Sequence, residues 1–225
     1  YRVLGRENVI ASQIVNVLYL FGLAGMIMGS VHAIMEEDTR RMIAYSSVAQ
    51  IGYIYMGIGL GTQAGMVAAV FHMFTHSATK ALLFISAVGL YEVSGDKKDY
   101  RSLRGAGYRN PLAGIGFAVG ALSMVGFPML AGFISKLLFA TSALQSPHKM
   151  IPTLIVLAVS TTLNAIYFLR LVITLYSGGG SERKGKASSW KLRAAILCFI
   201  LLNLVLGLKS QPVVQAIWDG LAMFD

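Results

Sequence analysis

Residues 71–84 read FHMFTHSATKALLF, and this stretch decides the class of fold. No Asp, Glu, Lys or Arg occurs from Met42 to Thr79, and mostly apolar residues continue beyond Lys80 as far as Val93. A membrane-spanning helix needs roughly 20 such residues, so the uncharged run is too long for one helix. Glycines at positions 57, 59 and 61 predict a break near its middle. The sequence therefore predicts two membrane-spanning helices, at about 41–60 and about 64–93.

The composition of the whole chain is typical of a membrane protein. Of its 225 residues 56% are apolar and 13% are charged, and the mean hydropathy is +0.65. A soluble domain carries about 25% charged residues, so a disordered chain, a coiled coil and an ordinary cytosolic enzyme are excluded. Cys198 is the only cysteine, which excludes a disulfide framework and a multi-cysteine zinc or iron–sulfur site. We expect no cofactor in the chain itself.

The other apolar stretches complete an all-α, polytopic transmembrane helix bundle that forms a single domain over the whole chain. We expect six spans, at about 10–35, 41–60, 64–93, 111–144, 150–176 and 190–208, with a glycine-rich linker at 177–189. The fourth span is too long for one straight helix. Gly126, Pro128 and Gly132 lie in its middle and predict a discontinuous helix that is broken near 126–132.

The basic residues outside the spans predict the orientation. Six crossings place both ends of the chain on one side, and the loops of the opposite side hold thirteen Lys and Arg residues against four on the side of the ends. By the positive-inside rule the basic loops face the cytoplasm, or the matrix or stroma of an organelle, and both ends face outward. We expect a multi-pass protein of the bacterial inner membrane. This rule explains the net charge of +9 without a nucleic-acid or acidic-lipid partner. Tyr1 in place of Met suggests a fragment or a processed chain, and no cleavable signal peptide is evident.

Two basic residues, Lys80 and Lys136, remain inside predicted spans. A Lys at the bilayer centre costs about 2.5 to 3.5 kcal/mol on insertion scales, so such residues usually face a protein interior or a wet cavity. His72 and His76 precede Lys80 at intervals of four residues. On a helix this spacing places the three side chains on one face, roughly 6 Å apart along the axis. Because imidazole donates and accepts protons near neutral pH, this ladder predicts a proton relay.

Other polar residues are candidates for a supporting path along the relay. Thr75 and Thr79 flank the ladder and can hold water. Ser46, Gln50 and Tyr53 share one face of the second span and can point at the ladder. Plain interhelical hydrogen bonding is the default interpretation for these three, as it is for an isolated histidine. A metal bound by the two histidines is a further alternative, but the sequence offers no third ligand nearby, so we expect no metal site.

Lys136 follows the predicted helix break by one to two turns. Breaks in membrane helices free backbone groups and are tolerated where they line a cavity or a polar path. We therefore expect a terminal proton or cation site at Lys136. The alternative is a side chain that reaches to the membrane surface, although apolar residues fill about 25 positions before it and eight after it.

Three runs of the sequence resemble a known family. They are DTRRMIAYSSVAQIGY at 38–53, FHMFTHSATKALLF at 71–84 and GFPMLAGFISK at 126–136. Their order and spacing resemble those of the antiporter-like membrane subunits of proton-pumping NADH:quinone oxidoreductase, respiratory complex I. The same superfamily includes subunits of Mrp-type sodium/proton antiporters and of membrane-bound hydrogenases. The resemblance covers about residues 11–176 and, loosely, the last helix.

The resemblance implies a fourteen-helix subunit made of two inverted five-helix repeats, each with a discontinuous helix. This chain would supply the C-terminal half, which is the second repeat plus the final helix. Lys80, His76 and His72 would match the central relay, and Lys136 the residue on the broken helix near the outward exit. Two departures stand out. The first repeat with its own Lys and Glu partner is absent from this sequence, and no long lateral helix follows the last span.

We therefore expect proton translocation by an antiporter-like subunit of a redox-driven pump, embedded in lipid and bound to other membrane subunits. The chain would hold no catalytic centre of its own. A subunit of a sodium/proton antiporter or of a membrane-bound hydrogenase is the first alternative. A structural membrane scaffold is the second, and it alone predicts that Lys80→Leu is neutral or stabilising.

Overall fold

The computed structural model describes residues 13–178 and 189–223. Within these ranges the chain is helical and forms no β-strand, and one isolated bridge joins Asp38 to Asp99. The helices in chain order are α1 (Ile14–Met35), α2 (Thr39–Gly59), α3 (Gln63–Glu92), α4 (Ala106–Arg109), α5 (Pro111–Val125), α6 (Ala131–Ala143), α7 (Pro147–Leu175), α8 (Trp190–Leu208) and α9 (Ser210–Ala222). The predicted all-α class is confirmed. The start of the first predicted span, at 10–12, and most of the predicted linker, at 179–188, lie outside the described residues.

The helices have the surface of a membrane bundle. α1, α3, α7 and α8 are long and apolar enough to cross a membrane, and α5 and α6 are apolar but shorter. Large apolar side chains point outward, such as Leu20, Phe21 and Ile173, which are 66%, 65% and 65% exposed. The polar residues Ser46 and Gln50 of α2 are buried instead. An apolar exterior around polar interior groups suits a lipid environment, as the sequence predicts.

Side-chain caps determine where three helices begin. Asp38, Thr62 and Asn110 precede α2, α3 and α5, and each side-chain oxygen accepts a hydrogen bond from the backbone N–H three residues later, at 3.0, 3.0 and 3.3 Å. The first turn of a helix leaves such N–H groups without a partner inside the helix. Pro111 fits the first turn of α5 because it has no N–H to satisfy.

α1 and α2 pack backbone against backbone. A Cβ atom on Gly22 would lie 2.4 Å from the Met56 backbone N, and one on Gly52 would lie 2.6 Å from the Met26 backbone N. These distances leave no room for a side chain at either glycine. The two helices are therefore a closely joined pair, with glycine at the points of contact.

The chain is not helical between α5 and α6. α5 ends at Val125, Gly126 has φ of +94°, and α6 begins at Ala131. The left-handed conformation at the end of a helix favours glycine, and Pro128 has no N–H with which to continue the helical ladder. α5 thus ends and α6 begins within the segment in which these residues predict a break.

α9 is an element that the sequence analysis does not predict. Its apolar Val213 packs against a small buried cluster formed by Ala78, Ala131 and Leu206. Polar residues interrupt the helix on other sides, so no uncharged run of spanning length marks it in the sequence. α9 thus lies against α3 and α8, next to the start of α6.

Arg109 holds the connection between α3 and α5 in place. Its guanidinium donates hydrogen bonds to the carbonyl oxygens of Val93 at 3.1 Å, Arg104 at 3.1 Å and Ser102 at 3.3 Å, and to Ser94 Oγ at 3.0 Å. A planar guanidinium with several N–H donors suits such a set of convergent acceptors.

Replacing Arg109 with Ala is expected to loosen this connection. Hydrogen bonds that involve a charged group contribute about 1.5 kcal/mol or more, so we expect a loss of about that size in the free energy of unfolding. Limited proteolysis of the protein in detergent would measure it as faster cleavage within residues 93–105. Arg101→Ala is the matched control, because Arg101 is exposed in the same connection. Equal cleavage of the two variants would contradict the expectation.

Candidate functional site

Lys80 lies at one end of a row of basic side chains on α3. Its side chain is only 7% exposed, and Nζ donates hydrogen bonds to the Ile43 carbonyl oxygen at 2.7 Å and to Ser46 Oγ. Both acceptors belong to α2 and both are neutral. A neutral amine has two N–H groups and an ammonium has three, so these two acceptors suit Lys80 in either state.

His76 and His72 continue the row along α3. Their ring centroids are 6.0 Å apart and their planes are nearly parallel. His72 Nδ1 lies 2.6 Å from Ser135 Oγ on α6. His72 Nε2 and His76 Nδ1 are buried and have no hydrogen-bond partner in the described part of the chain. Each ring thus keeps a nitrogen that can exchange a proton with a neighbour or with water.

Lys136 stands at the other end of the row, on α6. Its Nζ donates a hydrogen bond to the Val125 carbonyl oxygen at 2.8 Å. Val125 is the last residue of α5, where carbonyl groups lack a partner inside the helix. The interruption between α5 and α6 therefore supplies the acceptor for Lys136. The Tyr53 ring lies beside two groups of the row, with its centroid 5.5 Å from that of the His72 ring and 5.8 Å from Lys136 Nζ.

A small cavity joins most of these groups. Its volume of about 10 Å³ is close to the smallest space that can hold one water molecule. The lining residues are Gln50, His72, Thr75, His76, Thr79, Ser123, Met124, Gly132 and Lys136. The Gln50 Nε2 atom is buried without a partner among the described residues, as are the two histidine nitrogens. The cavity thus brings together unsatisfied polar atoms that need a small polar ligand such as water.

The predicted supporting residues occupy different places. Gln50, Thr75 and Thr79 line the cavity, whereas Ser46 contacts Lys80, which does not line it. The Thr75 hydroxyl donates to the His72 carbonyl oxygen at 3.1 Å on its own helix. Tyr53 packs on His72 and is not a cavity residue. Among the residues described, no group of three or more His, Cys, Asp or Glu side chains is placed to hold a metal ion.

A second buried polar layer lies between α1 and α7 and is not predicted from the sequence. Tyr167 Oη donates to Asn164 Oδ1 at 2.5 Å, and Ser30 Oγ lies 3.5 Å from the same oxygen. Ser30 Oγ and Ser160 Oγ are 3.4 Å apart. The sequence feature that could have indicated this layer is the amide of Asn164 within an apolar span, because such a group needs a hydrogen-bond partner inside the protein.

Asn203 of α8 is also missed by the sequence analysis. Its Oδ1 accepts hydrogen bonds from Thr79 Oγ1 at 2.7 Å and from Ser123 Oγ at 3.0 Å. Both hydroxyls line the cavity. The last long helix therefore contacts the wall of the cavity through one amide.

Comparison with known proteins finds relatives with similar sequences and a similar fold. The model of a family described as "NADH:quinone oxidoreductase/Mrp antiporter, TM" matches residues 2–163. NADH-quinone oxidoreductase subunit L of Buchnera aphidicola subsp. Acyrthosiphon pisum (strain APS) is 31% identical over 200 residues, which are 87% of this chain and 32% of that protein. NADH-quinone oxidoreductase subunit N of Desulforudis audaxviator (strain MP104C) is 32% identical over 218 residues, which are 91% of this chain and 43% of that protein. The chain thus spans less than half the length of these curated relatives.

A solved structure agrees in fold. A chain of the Mrp complex from Dietzia sp. DQ12-45-1b superposes with a TM-score of 0.83 at 23% sequence identity, over 93% of this chain and 47% of that one. At this level of identity the likeness concerns the fold.

Proposed function

Because the chain belongs to the NADH:quinone oxidoreductase/Mrp antiporter transmembrane family, we propose that it translocates protons through the row Lys80, His76, His72 and Lys136. It would do so as the C-terminal half of an antiporter-like subunit. One observation carries the proposal: Lys136 and two stacked histidines that keep free nitrogen atoms lie at a small cavity, and Lys80 is buried on the same helix as the histidines. Buried basic residues are costly in a membrane and usually serve a transported ion.

The proposal includes six membrane crossings. α1, α3, α7 and α8 would each form one, and α5 with α6 would form a single discontinuous one. α2 would cross as well, because its polar side chains Ser46, Gln50 and Tyr53 are buried against the rest of the bundle and its other face is apolar. The excess of basic residues in alternate loops supports an orientation with those loops in the cytoplasm and both ends of the chain outside.

The chemistry requires each group to take up and release one proton. Lys80 can hold a proton or give it up without losing its contacts, because both of its acceptors are neutral oxygen atoms. A histidine accepts a proton at one ring nitrogen and releases one from the other. The two rings are stacked with their centroids 6.0 Å apart, and no direct hydrogen bond joins them in the described structure. Water in the cavity would therefore bridge the proton transfer between His76 and His72.

Lys136 would be the last site of the row before release. Its Nζ lies against the Val125 carbonyl oxygen, which is also neutral and remains a suitable partner after the proton leaves. Other membrane subunits would supply the driving force, since the relatives are named as subunits of NADH-quinone oxidoreductase. Sodium/proton exchange is the second candidate, because the family description joins Mrp antiporters to the oxidoreductases.

Inverted membrane vesicles that contain the complete complex would test the proposal. We expect NADH to acidify the vesicle interior without sodium, as measured by quenching of a pH-sensitive dye. An uncoupler should collapse the signal, which is the control for a true gradient. If acidification requires sodium, or a sodium pulse alone moves protons in the opposite direction, the chain would belong to an exchanger. If neither NADH nor sodium moves protons, the proposal is wrong.

A further inference from the structure

The structure points to a role for Asn203, a residue outside the segment that matches the family. Asn203 is fully buried in α8, whose other residues near this level are Leu, Val and Ile. Its Nδ2 donates to the Phe199 carbonyl oxygen at 3.0 Å, which fixes the orientation of the amide. The Oδ1 atom is thereby aimed at the two hydroxyls of Thr79 and Ser123.

The two hydroxyls are committed as donors by this arrangement. A carbonyl oxygen can only accept hydrogen bonds, so Thr79 and Ser123 are the donors in their contacts with Asn203, and their own two hydroxyl oxygens lie 3.3 Å apart. Their oxygen lone pairs remain for other partners. One partner is present, because Ser123 Oγ accepts the Gly132 N–H at 3.2 Å. This wall of the cavity therefore offers acceptors, which favour a positive charge or a donating water molecule beside them.

α8 also packs against the segment between α5 and α6. Ser123 belongs to the last turn of α5 and Gly132 to the first turn of α6, so the Ser123 hydroxyl joins the two helices. One turn beyond Asn203, a Cβ atom on Gly207 would lie 2.2 Å from the Met129 carbonyl oxygen. α8 thus contacts Ser123 before the interruption and Met129 within it, and Lys136 follows Gly132 by one turn.

We propose that Asn203 is a positioning residue for ion translocation: it orients the Thr79 and Ser123 hydroxyls and, through Ser123 and Gly132, keeps Lys136 in place. This inference rests on the proposed function. The titratable groups that line the cavity with the two hydroxyls are His72, His76 and Lys136. Asn203 itself carries no proton for the row.

Two substitutions of Asn203 give opposite expectations. Asn203→Leu keeps the volume but frees both hydroxyl hydrogens, which can then turn toward the cavity and disfavour a positive charge there. Asn203→Asp keeps an oxygen that accepts both hydroxyls and adds negative charge. We expect Asn203→Leu to lower the rate of translocation about tenfold and to move its pH profile toward lower pH. Asn203→Asp should keep more of the rate and move the profile toward higher pH.

The test uses inverted vesicles that contain the complete complex, with dye quenching recorded over a range of pH and normalised to the amount of assembled complex. Leu201→Ala is the control, because Leu201 is 62% exposed on the same helix and should leave rate and profile unchanged. A purely structural role would reduce the rate in both Asn203 variants without moving either profile, and that result would overturn the inference.

A further variant covers the case in which Asn203→Leu does not assemble. Thr79→Val removes one of the two hydroxyls at nearly constant volume and should move the pH profile in the same direction as Asn203→Leu. An unmoved profile in Thr79→Val would overturn the inference. The proposed function has its own test: it is wrong if the complex with Lys80→Ala translocates protons as fast as the complex with the unmodified chain. If Lys80→Ala is inactive while Asn203→Leu retains the normal rate and profile, the role of Asn203 alone is wrong.

Discussion

Replacing Lys80 with Ala is expected to stop ion translocation while the chain stays in its complex. The variant loses the amine that contacts Ile43 and Ser46 on α2, so the row of proton sites would begin at His76 with no donor before it. Groups that transfer protons typically contribute a factor of about 100 or more to a rate. Vesicle acidification normalised to assembled complex should therefore fall by about that factor.

Two companion variants separate charge from proton release. Lys80→Arg keeps the positive charge, but an arginine does not give up its proton in proteins, so it should be as inactive as Lys80→Ala. Lys191→Ala removes an exposed lysine at the start of α8 and should translocate normally. The relay would be disproved by an assembled Lys80→Ala chain that acidifies vesicles as fast as Lys191→Ala. A scaffold role would then be the better explanation.

The second large effect is expected at Gly22. A Cβ atom there would approach the Met56 backbone N to 2.4 Å, and a backbone atom cannot move aside as a flexible side chain can. α1 and α2 would have to separate, and overpacking of this kind costs about 3 kcal/mol. We expect Gly22→Ala to lower the thermal unfolding temperature of the detergent-solubilised protein and to reduce its amount in the membrane.

Gly25 provides the matched control for Gly22. It lies three residues away on α1, and a Cβ atom on it would be 3.5 Å from the Gly52 Cα atom, which is ordinary van der Waals contact. Gly25→Ala should therefore leave stability nearly unchanged. Equal loss of stability in the two variants would contradict a special role for close packing at Gly22, because helix propensity favours alanine over glycine at both positions.

The sequence predicts those features that depend on neighbours along the chain. The apolar helices are recognisable because a spanning helix excludes charge over a long run of residues. The common face of His72, His76 and Lys80 follows from their spacing on one helix. The interruption before α6 is also local, since glycine and proline act on the backbone at their own positions. The family resemblance adds the expected order of the two lysines, with Lys80 in the central relay and Lys136 near the outward exit.

The contacts between helices could not be predicted in the same way. Ser135 reaches His72 from α6 and Asn203 reaches Thr79 from α8, and nothing in the local pattern states which face of α3 they meet. The Val125 carbonyl that accepts from Lys136 is a backbone group, so no residue type identifies it. α9 is not predicted for a related reason. Its apolar residues cover one side only, and the local sequence does not show that this side packs against Ala78 and Leu206.

The close packing of α1 on α2 has a mechanical consequence for Lys80. Both of the oxygen atoms that hold Lys80 Nζ are carried by α2, and α2 touches α1 through backbone atoms at Gly22 and Gly52. Backbone contacts of this kind are stiff, because no side-chain rotation can absorb a displacement. A displacement of α1 would therefore move α1 and α2 together as one rigid unit. The two oxygen atoms that accept hydrogen bonds from Lys80 Nζ would shift with them.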